Sequence, residues 1–214
     1  MPGERRFYEQ LCGDARRSAP AALRNRMPIA EVLGEWLPKA GLVLEIASGT
    51  GEHVIFFANR FPGLSWQPTD MDRGALASIN GWRKASALPN ILDPLALDAG
   101  SDEWPIEAAD AVLSINMVHI APWKSALGLL NGSARVLKRG GPLIVYGPWL
   151  ERGKPVAASN LEFDRQLKSR DAQWGLRTLE DFEAEAVKRY FVLEQVRPMP
   201  ANNLMLLFRF GGGD

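Results

Sequence analysis

The chain has 214 residues, 46% of them hydrophobic, with 25 Lys and Arg balancing 25 Asp and Glu. Such a length fits one ordinary domain, and a net charge of zero gives no overall field to draw nucleic acid or an anionic membrane. The single cysteine, Cys12, excludes an internal disulfide and a structural zinc cluster, and His53 and His119 are the only histidines, so no metal site is expected.

Up to residue 26 the chain is locally basic: Arg5, Arg6, Arg16, Arg17, Arg24 and Arg26 outnumber Glu4, Glu9 and Asp14, which reads as a solvated arm. There is no signal-peptide pattern, and no apolar run approaches the ~20 residues of a bilayer span, so a cytoplasmic location is expected. Residues 29–37 have the spacing of an amphipathic helix, closed by Pro38 and Gly41. Val43, Leu44 and Ile46 form a short apolar run, as in a strand buried on both faces. The chain then turns at Gly49 and Gly51 into a helix that begins at Glu52 and lines up Val54, Phe57, Ala58 and Phe61 on one side.

Residues 64–70 read as a second strand with Pro68 near its end, and 74–86 as the helix after it. A third strand, 91–98, is interrupted by Pro94, which places it near an edge or a bulge. Residues 109–116 supply a fourth strand, 123–138 a helix stopped by Gly140 and Gly141, and 142–147 a fifth strand. Further helices are expected at 161–168 and 179–190, and late strands at 190–198 and 204–210. This order predicts an α/β, doubly wound sheet with helices on both faces and an antiparallel strand at one edge. Residues 1–214 are expected to form one domain, with an N-terminal helical arm to residue 40 and a core over 41–210.

Ligands of such sheets lie beyond the carboxyl ends of the strands, where the strand order reverses. A dinucleotide would need a Gly or Ala where this chain has Val54, and Glu52 would repel a pyrophosphate on the helix N-terminus. S-adenosylmethionine has no phosphate and carries a cationic sulfonium and an ammonium, with which Glu45 and Glu52 are compatible. Asp70, at the end of the second strand, is placed to accept from ribose hydroxyls, and Asp98, at the end of the third, from the adenine amino group. The competing role for an acid after a strand is a helix cap or turn, which Asp72 could also fill.

The stretches EIASGTG, WQPTD, LALD and INMVHIAPW resemble, in order and spacing, the motifs of class I S-adenosylmethionine-dependent methyltransferases. With RNRMPI, YGPW, SNLEFDRQLKSRDAQWGLR and MPANN added, the likeness narrows to the methyltransferase-like protein 26 family and spans about residues 24–210. The resemblance implies a Rossmann-like sheet of seven strands. It assigns the methionine moiety to Glu45, Ala47, Gly49 and Gly51, the ribose to Asp70, and the adenine to Asp98 and Ala99, with Met71 in the same pocket. Asn116 and Met117 would form the floor near the methyl group.

Methyl transfer from a sulfonium needs alignment above all, and a base only where the acceptor must lose a proton. His119, just after the fourth strand, is the first candidate base and His53 the second; adjacency of the first and fourth strands would open both onto one cleft. Asn116 and Tyr146 complete the catalytic candidates. Trp123 and Trp149, with Tyr146, could wall the pocket of a small-molecule acceptor. Asn160, Asn202 and Asn203 are polar groups in loops, Arg177 could hold an anionic acceptor, and a lid over the cofactor could come from Arg24, Asn25 and Pro28. The alternative to an enzyme is a non-catalytic S-adenosylmethionine-binding module that acts through a protein partner.

Overall fold

The computed structural model describes residues 8–10 and 14–212, so Glu4, Arg5, Arg6 and Cys12 lie outside the described residues. A short hairpin of β1 (Glu9–Gln10) and β2 (Arg17–Ser18) precedes α1 (Pro20–Trp36). Then come β3 (Gly41–Ile46), α2 (Glu52–Arg60), β4 (Leu64–Asp70), α3 (Arg73–Ser86), β5 (Leu95–Ala96) and β6 (Ala111–Ile115). The chain continues through α4 (Trp123–Val136), β7 (Pro142–Gly147), α5 (Ala158–Arg170), α6 (Leu179–Val187), β8 (Phe191–Met199) and β9 (Asn203–Phe210).

Seven strands form one sheet in the order β5-β4-β3-β6-β7-β9-β8. The first five are parallel, while β9 runs antiparallel to both β7 and β8, so a hairpin closes that edge. From β3 the chain moves outward to β4 and β5 and then crosses back to β6 on the other side of β3. The order therefore reverses at the carboxyl ends of β3 and β6, the position at which open α/β sheets bind ligands.

The two-residue period of an extended chain sends alternate residues to two cores. Val43, Trp66, Leu113 and Ile144 pack under Ile29, Leu33, Trp36, Val54, Phe57 and Ile79 of α1, α2 and α3. Leu44, Ile46, Val112, Leu143 and Val145 pack under Leu129 and Leu130 of α4 and Phe182 of α6. Both faces are covered, which is why these strands read as continuous apolar runs rather than alternating ones. No helix among the described residues is long and apolar enough to cross a membrane.

Three expectations are corrected. Helix α1 starts at Pro20 and runs through Pro28, which removes one ladder donor and leaves the Arg24 carbonyl without its i+4 partner. Apart from Ala22, only its second half buries apolar residues, whereas Leu23 and Met27 are about half exposed, so spacing revealed only the buried turns. Strand β5 shrinks to two residues beyond Pro94, with Ile91 making only an isolated bridge to Trp66. The basic arm is solvated only in part: Arg24 is exposed, but Arg17 donates to Asp72 at 2.9 Å and stacks over Tyr8, and Arg16 lies over Trp82.

Gly51, at φ +88°, precedes α2, and a Cβ there would come within 2.9 Å of the Ile79 Cα in α3. Left-handed backbone costs an L-residue roughly 1–2 kcal/mol before any clash is counted. Gly51→Ala should therefore lower stability by about 2 kcal/mol or more, seen as a reduced urea midpoint and a fall of several degrees in Tm.

Candidate functional site

The loop after β3 is held in an unusual backbone conformation by its neighbours. Ala47 (φ +57°) and Gly49 (φ +58°) follow β3, and Asn116 (φ +63°) follows the adjacent β6. Two non-glycine residues in the left-handed region, at neighbouring strand ends, mark the kind of strain that surrounding bonds must sustain. Those bonds come from β4: Ser48 N–H donates to the Thr69 carbonyl at 2.8 Å, and Thr69 Oγ1 donates to the Glu45 carbonyl at 2.8 Å. The Asp70 carboxylate accepts from Gly49 N–H and Asp72 N–H, each at 2.9 Å. Burial raises the Asp70 pKa, against the lowering effect of these N–H groups, and each oxygen keeps a lone pair for a further donor. Asp72 is the helix cap, accepting from Ala75 N–H at 2.7 Å.

Glu45 lies on the same sheet face as Val43 and Asp70, by strand parity and the Glu45–Pro68 register. It is 2% exposed, and its Oε2 has no hydrogen-bond partner. Burial pushes its pKa up to about 7, opposed by a bond with Ser48 and reinforced by the nearby Asp70 charge. An unpaired acid in such a place is poised to receive a cation. Gly49 faces open space, with nothing within 4 Å of where a Cβ would sit. Met71 is 70% exposed at the mouth, Ala99 and Met117 are buried, and Asp98 is exposed with Oδ1 accepting from Gly100 N–H at 2.8 Å.

Glu52, in the first turn of α2, is already committed. Its carboxylate accepts from Ser18 Oγ (2.9 Å), Ala19 N–H (2.6 Å) and Thr50 Oγ1 (3.1 Å). A buried negative charge thus occupies the helix N-terminus that a pyrophosphate would need, and Val54 is fully buried in the core. The site does not suit a dinucleotide.

Three candidates meet between α1, α2 and β7. Asn25 Oδ1 lies 2.8 Å from His53 Nε2, and the Asn25 side chain also hydrogen-bonds the Tyr146 hydroxyl. His53 is half-buried and stacks on Phe57; burial, with the adjacent Arg26 charge, pushes its pKa down to about 4. Tyr146 is buried, its pKa raised by that burial, and its carbonyl accepts from Asn116 N–H at 2.8 Å. This connects the cluster to the end of β6.

Other candidates sit elsewhere. His119 does not open onto a cleft with His53: it is fully buried, in edge contact with Trp149, while His53 belongs to the opposite sheet face. The chain folds back after Asn116, with His119 N–H donating to the Asn116 carbonyl at 3.0 Å, and this tucks the ring inward. His119 Nδ1 accepts from Arg177 N–H at 3.3 Å, so Nε2 carries the proton and presents no lone pair. A side chain at Gly147 would run into Nε2, so only glycine fits there. Trp149 is core, packed on Phe182, and Trp123 meets the same ring edge-on, so the two tryptophans do not join Tyr146 in one wall.

Arg177 is not free for an anion. Its guanidinium donates to the carbonyls of Val118 (3.3 Å), Ala121 (2.9 Å) and Gln173 (2.6 Å), bracing the loop after β6. Asn160 Nδ2 donates to the Asn202 carbonyl at 3.0 Å, Asn202 Nδ2 to Ser159 Oγ, and Asn203 Nδ2 to the carbonyls of Pro200 and Ala201. Asn160 and Asn202 tie α5 to the β8–β9 turn, and Asn203 closes the turn on itself. Arg24 is exposed, with no partner among the described residues. Two surface cavities also lie apart from the Gly49 opening, about 320 Å³ among α1, α2 and α3 beside Phe56 and Trp82, and about 550 Å³ beside Trp123 and α6.

Solved structures with this fold include an O-methyltransferase family protein from Burkholderia thailandensis, at TM-score 0.77 and 18% identity, covering 91% of this chain and 58% of that one. The mitomycin 7-O-methyltransferase MmcR matches at TM-score 0.77 and 20% identity, over 90% and 55% of the two chains. An O-methyltransferase family 2 protein from Planctomyces limnophilus, in complex with apigenin, matches at 0.74 and 18%, over 89% and 57%. The chain spans somewhat over half the length of each, and at these identities the likeness is one of fold: a Rossmann-like methyltransferase sheet of seven strands. A family model covers residues 16–210, and the chain belongs to the family it describes, "Protein of unknown function (DUF938)".

Proposed function

We propose that this chain is an S-adenosylmethionine-dependent methyltransferase acting on a small molecule. The observation that carries the proposal is Glu45: a fully buried carboxylate with an unpartnered oxygen, at the switch point of a methyltransferase-like sheet, beside a strained loop open above Gly49. A cationic ligand satisfies that oxygen, whereas an anionic dinucleotide meets Glu52. The fold's O-methyltransferase neighbours support the same reading, as do the motifs that resemble those of class I methyltransferases.

In this proposal Ala47, Gly49 and Gly51 let the backbone approach the methionine portion while Glu45 faces its positive charge. The free lone pairs of Asp70 accept from the ribose; Met71, Asp98 and Ala99 border the adenine; and Asn116 and Met117 lie near the reacting carbon. When bound, S-adenosylmethionine supplies an already activated methyl group. The protein's contribution is then alignment and exclusion of water, for which oriented reactants account for roughly 7 to 11 kcal/mol of barrier lowering.

Calorimetry should show binding of S-adenosylmethionine and S-adenosylhomocysteine, and absence of binding at high micromolar ligand would reject the assignment. Asp70→Ala should weaken binding by roughly tenfold or more, equivalent to about 1.4 kcal/mol, because it removes both the ribose acceptor and the tie to Gly49. Unchanged affinity would remove Asp70 from the site. A radiolabelled methyl group should move to a small molecule in lysate; cofactor binding without transfer would favour the non-catalytic module.

Glu45 gives the affinity a pH dependence of definite sign. Its folded pKa, about 7, lies above its ordinary 4.5, so the unliganded protein keeps Glu45 protonated below neutrality and loses stability as pH rises through that interval. A bound cation favours the ionised form. Binding at about pH 6.5 should therefore release a proton, detected by calorimetry in two buffers of different ionisation enthalpy, and affinity should rise toward about pH 8. Glu45→Gln should abolish the release, and proton release that persists in the variant would place its source elsewhere.

A further inference from the structure

The contact between Asn25 and His53 fixes which nitrogen of the ring is basic. With Asn25 Oδ1 at 2.8 Å, Nε2 must donate, so the proton sits on Nε2 and the lone pair on Nδ1. The Asn25 side chain also meets the Tyr146 hydroxyl, which accepts when Nδ2–H faces it, and in this orientation Oδ1 is the atom left for His53. His53 Nδ1 has no partner among the described residues, and the residue is partly exposed rather than sealed in the core. His119 is the same Nε2–H tautomer, but its Nδ1 lone pair is taken by the Arg177 amide and its Nε2–H is sealed in the core.

Resting on the methyltransferase reading above, we propose that His53 is the catalytic residue that takes the acceptor's proton, that Asn25 and Tyr146 are the positioning residues that fix its tautomer, and that the acceptor is a small molecule bearing a hydroxyl group. The proton balance selects the hydroxyl. An aliphatic amine arrives as an ammonium at neutral pH, with an ordinary pKa near about 10, and a weakly basic imidazole beside Arg26 cannot remove that proton. A hydroxyl arrives neutral, and its oxygen becomes strongly acidic only as it gains the methyl group. The acceptor oxygen forms its bond to the methyl carbon as the carbon–sulfur bond breaks, the electron pair staying on sulfur. The O–H proton passes to His53 Nδ1 and then to solvent, leaving a methyl ether and a neutral sulfide.

The tautomer can be read without any reaction. The full chain labelled with nitrogen-15 contains only two histidines, so long-range proton–nitrogen spectra resolve both rings, and loss of one set in His53→Gln assigns them. At neutral pH His53 should be uncharged with Nε2 protonated, and Asn25→Ala should convert it to a mixture of tautomers while His119 stays unchanged and reports an intact fold. A protonated Nδ1 in the wild type, a charged ring, or a tautomer unmoved by Asn25→Ala with His119 intact would overturn the proposal. Should Asn25→Ala fail to fold, the wild-type spectrum decides.

In a second arm, a phenol, a primary amine and a thiol are each offered with radiolabelled S-adenosylmethionine. Label should reach the phenol, and His53→Gln should lower kcat by roughly 10²–10⁴-fold with cofactor affinity unchanged. Label confined to the amine or thiol, or absent from all three, overturns the acceptor class, as does a His53→Gln rate equal to wild type. Failure of cofactor binding in calorimetry would sink the methyltransferase reading itself while leaving the tautomer result standing.

Discussion

A carboxylate with nothing to bind is the constraint around which this end of the molecule is organised. Taking an ionised side chain out of water is expensive unless a counter-charge meets it, and an acid left alone answers by keeping its proton. Glu45 does so, its pKa standing about 7. The surrounding bonds maintain the arrangement. Thr69 and Ser48 fix the backbone on either side of Glu45, and Asp70 clamps the glycine loop from the next strand. The second acid is thereby satisfied by backbone donors while the first is not. On this asymmetry rest the proposed roles of Glu45 toward a cation and of Asp70 toward ribose hydroxyls.

The strand pattern places these groups together. Residues 43, 45, 68, 70 and 146 fall on one sheet face through the register of β3 with β4 and of β6 with β7, and α1 and α2 cover that face. Asn25 and His53 come from those helices. The opposite face holds His119, Trp149 and the α4–α6 core, so side chains close in sequence to the site but of the wrong parity become packing.

Much of the sheet was legible because buried parallel strands leave continuous apolar runs, as Leu143, Ile144 and Val145 do in β7. Turn chemistry was legible too, at Gly49, Gly51 and the Asp72 cap. What escaped was whatever depends on partners far away in the chain. Arg177 looks like an anion clamp until three carbonyls from 118 to 173 are seen to fill it, and Asn160 meets Asn202 across more than forty residues. His119 misled because its direction depends on a left-handed Asn116, which no periodicity reports. The Asn25–His53–Tyr146 contact joins three elements and carries no local signature, although all three residues could be named as polar candidates beforehand.

Glu52 has a broader implication. By accepting from Ser18 and from the Ala19 amide just before α1 while standing on the opening turn of α2, it ties the segment before the sheet to the helix that starts at the glycine bend. The segment leading into the Asn25-bearing helix and the glycine bend are therefore joined through one carboxylate. Met71 stands exposed at the mouth of the hollow, and loss of the Ser18 and Ala19 donors would strip a buried carboxylate of two partners right where the segments are joined.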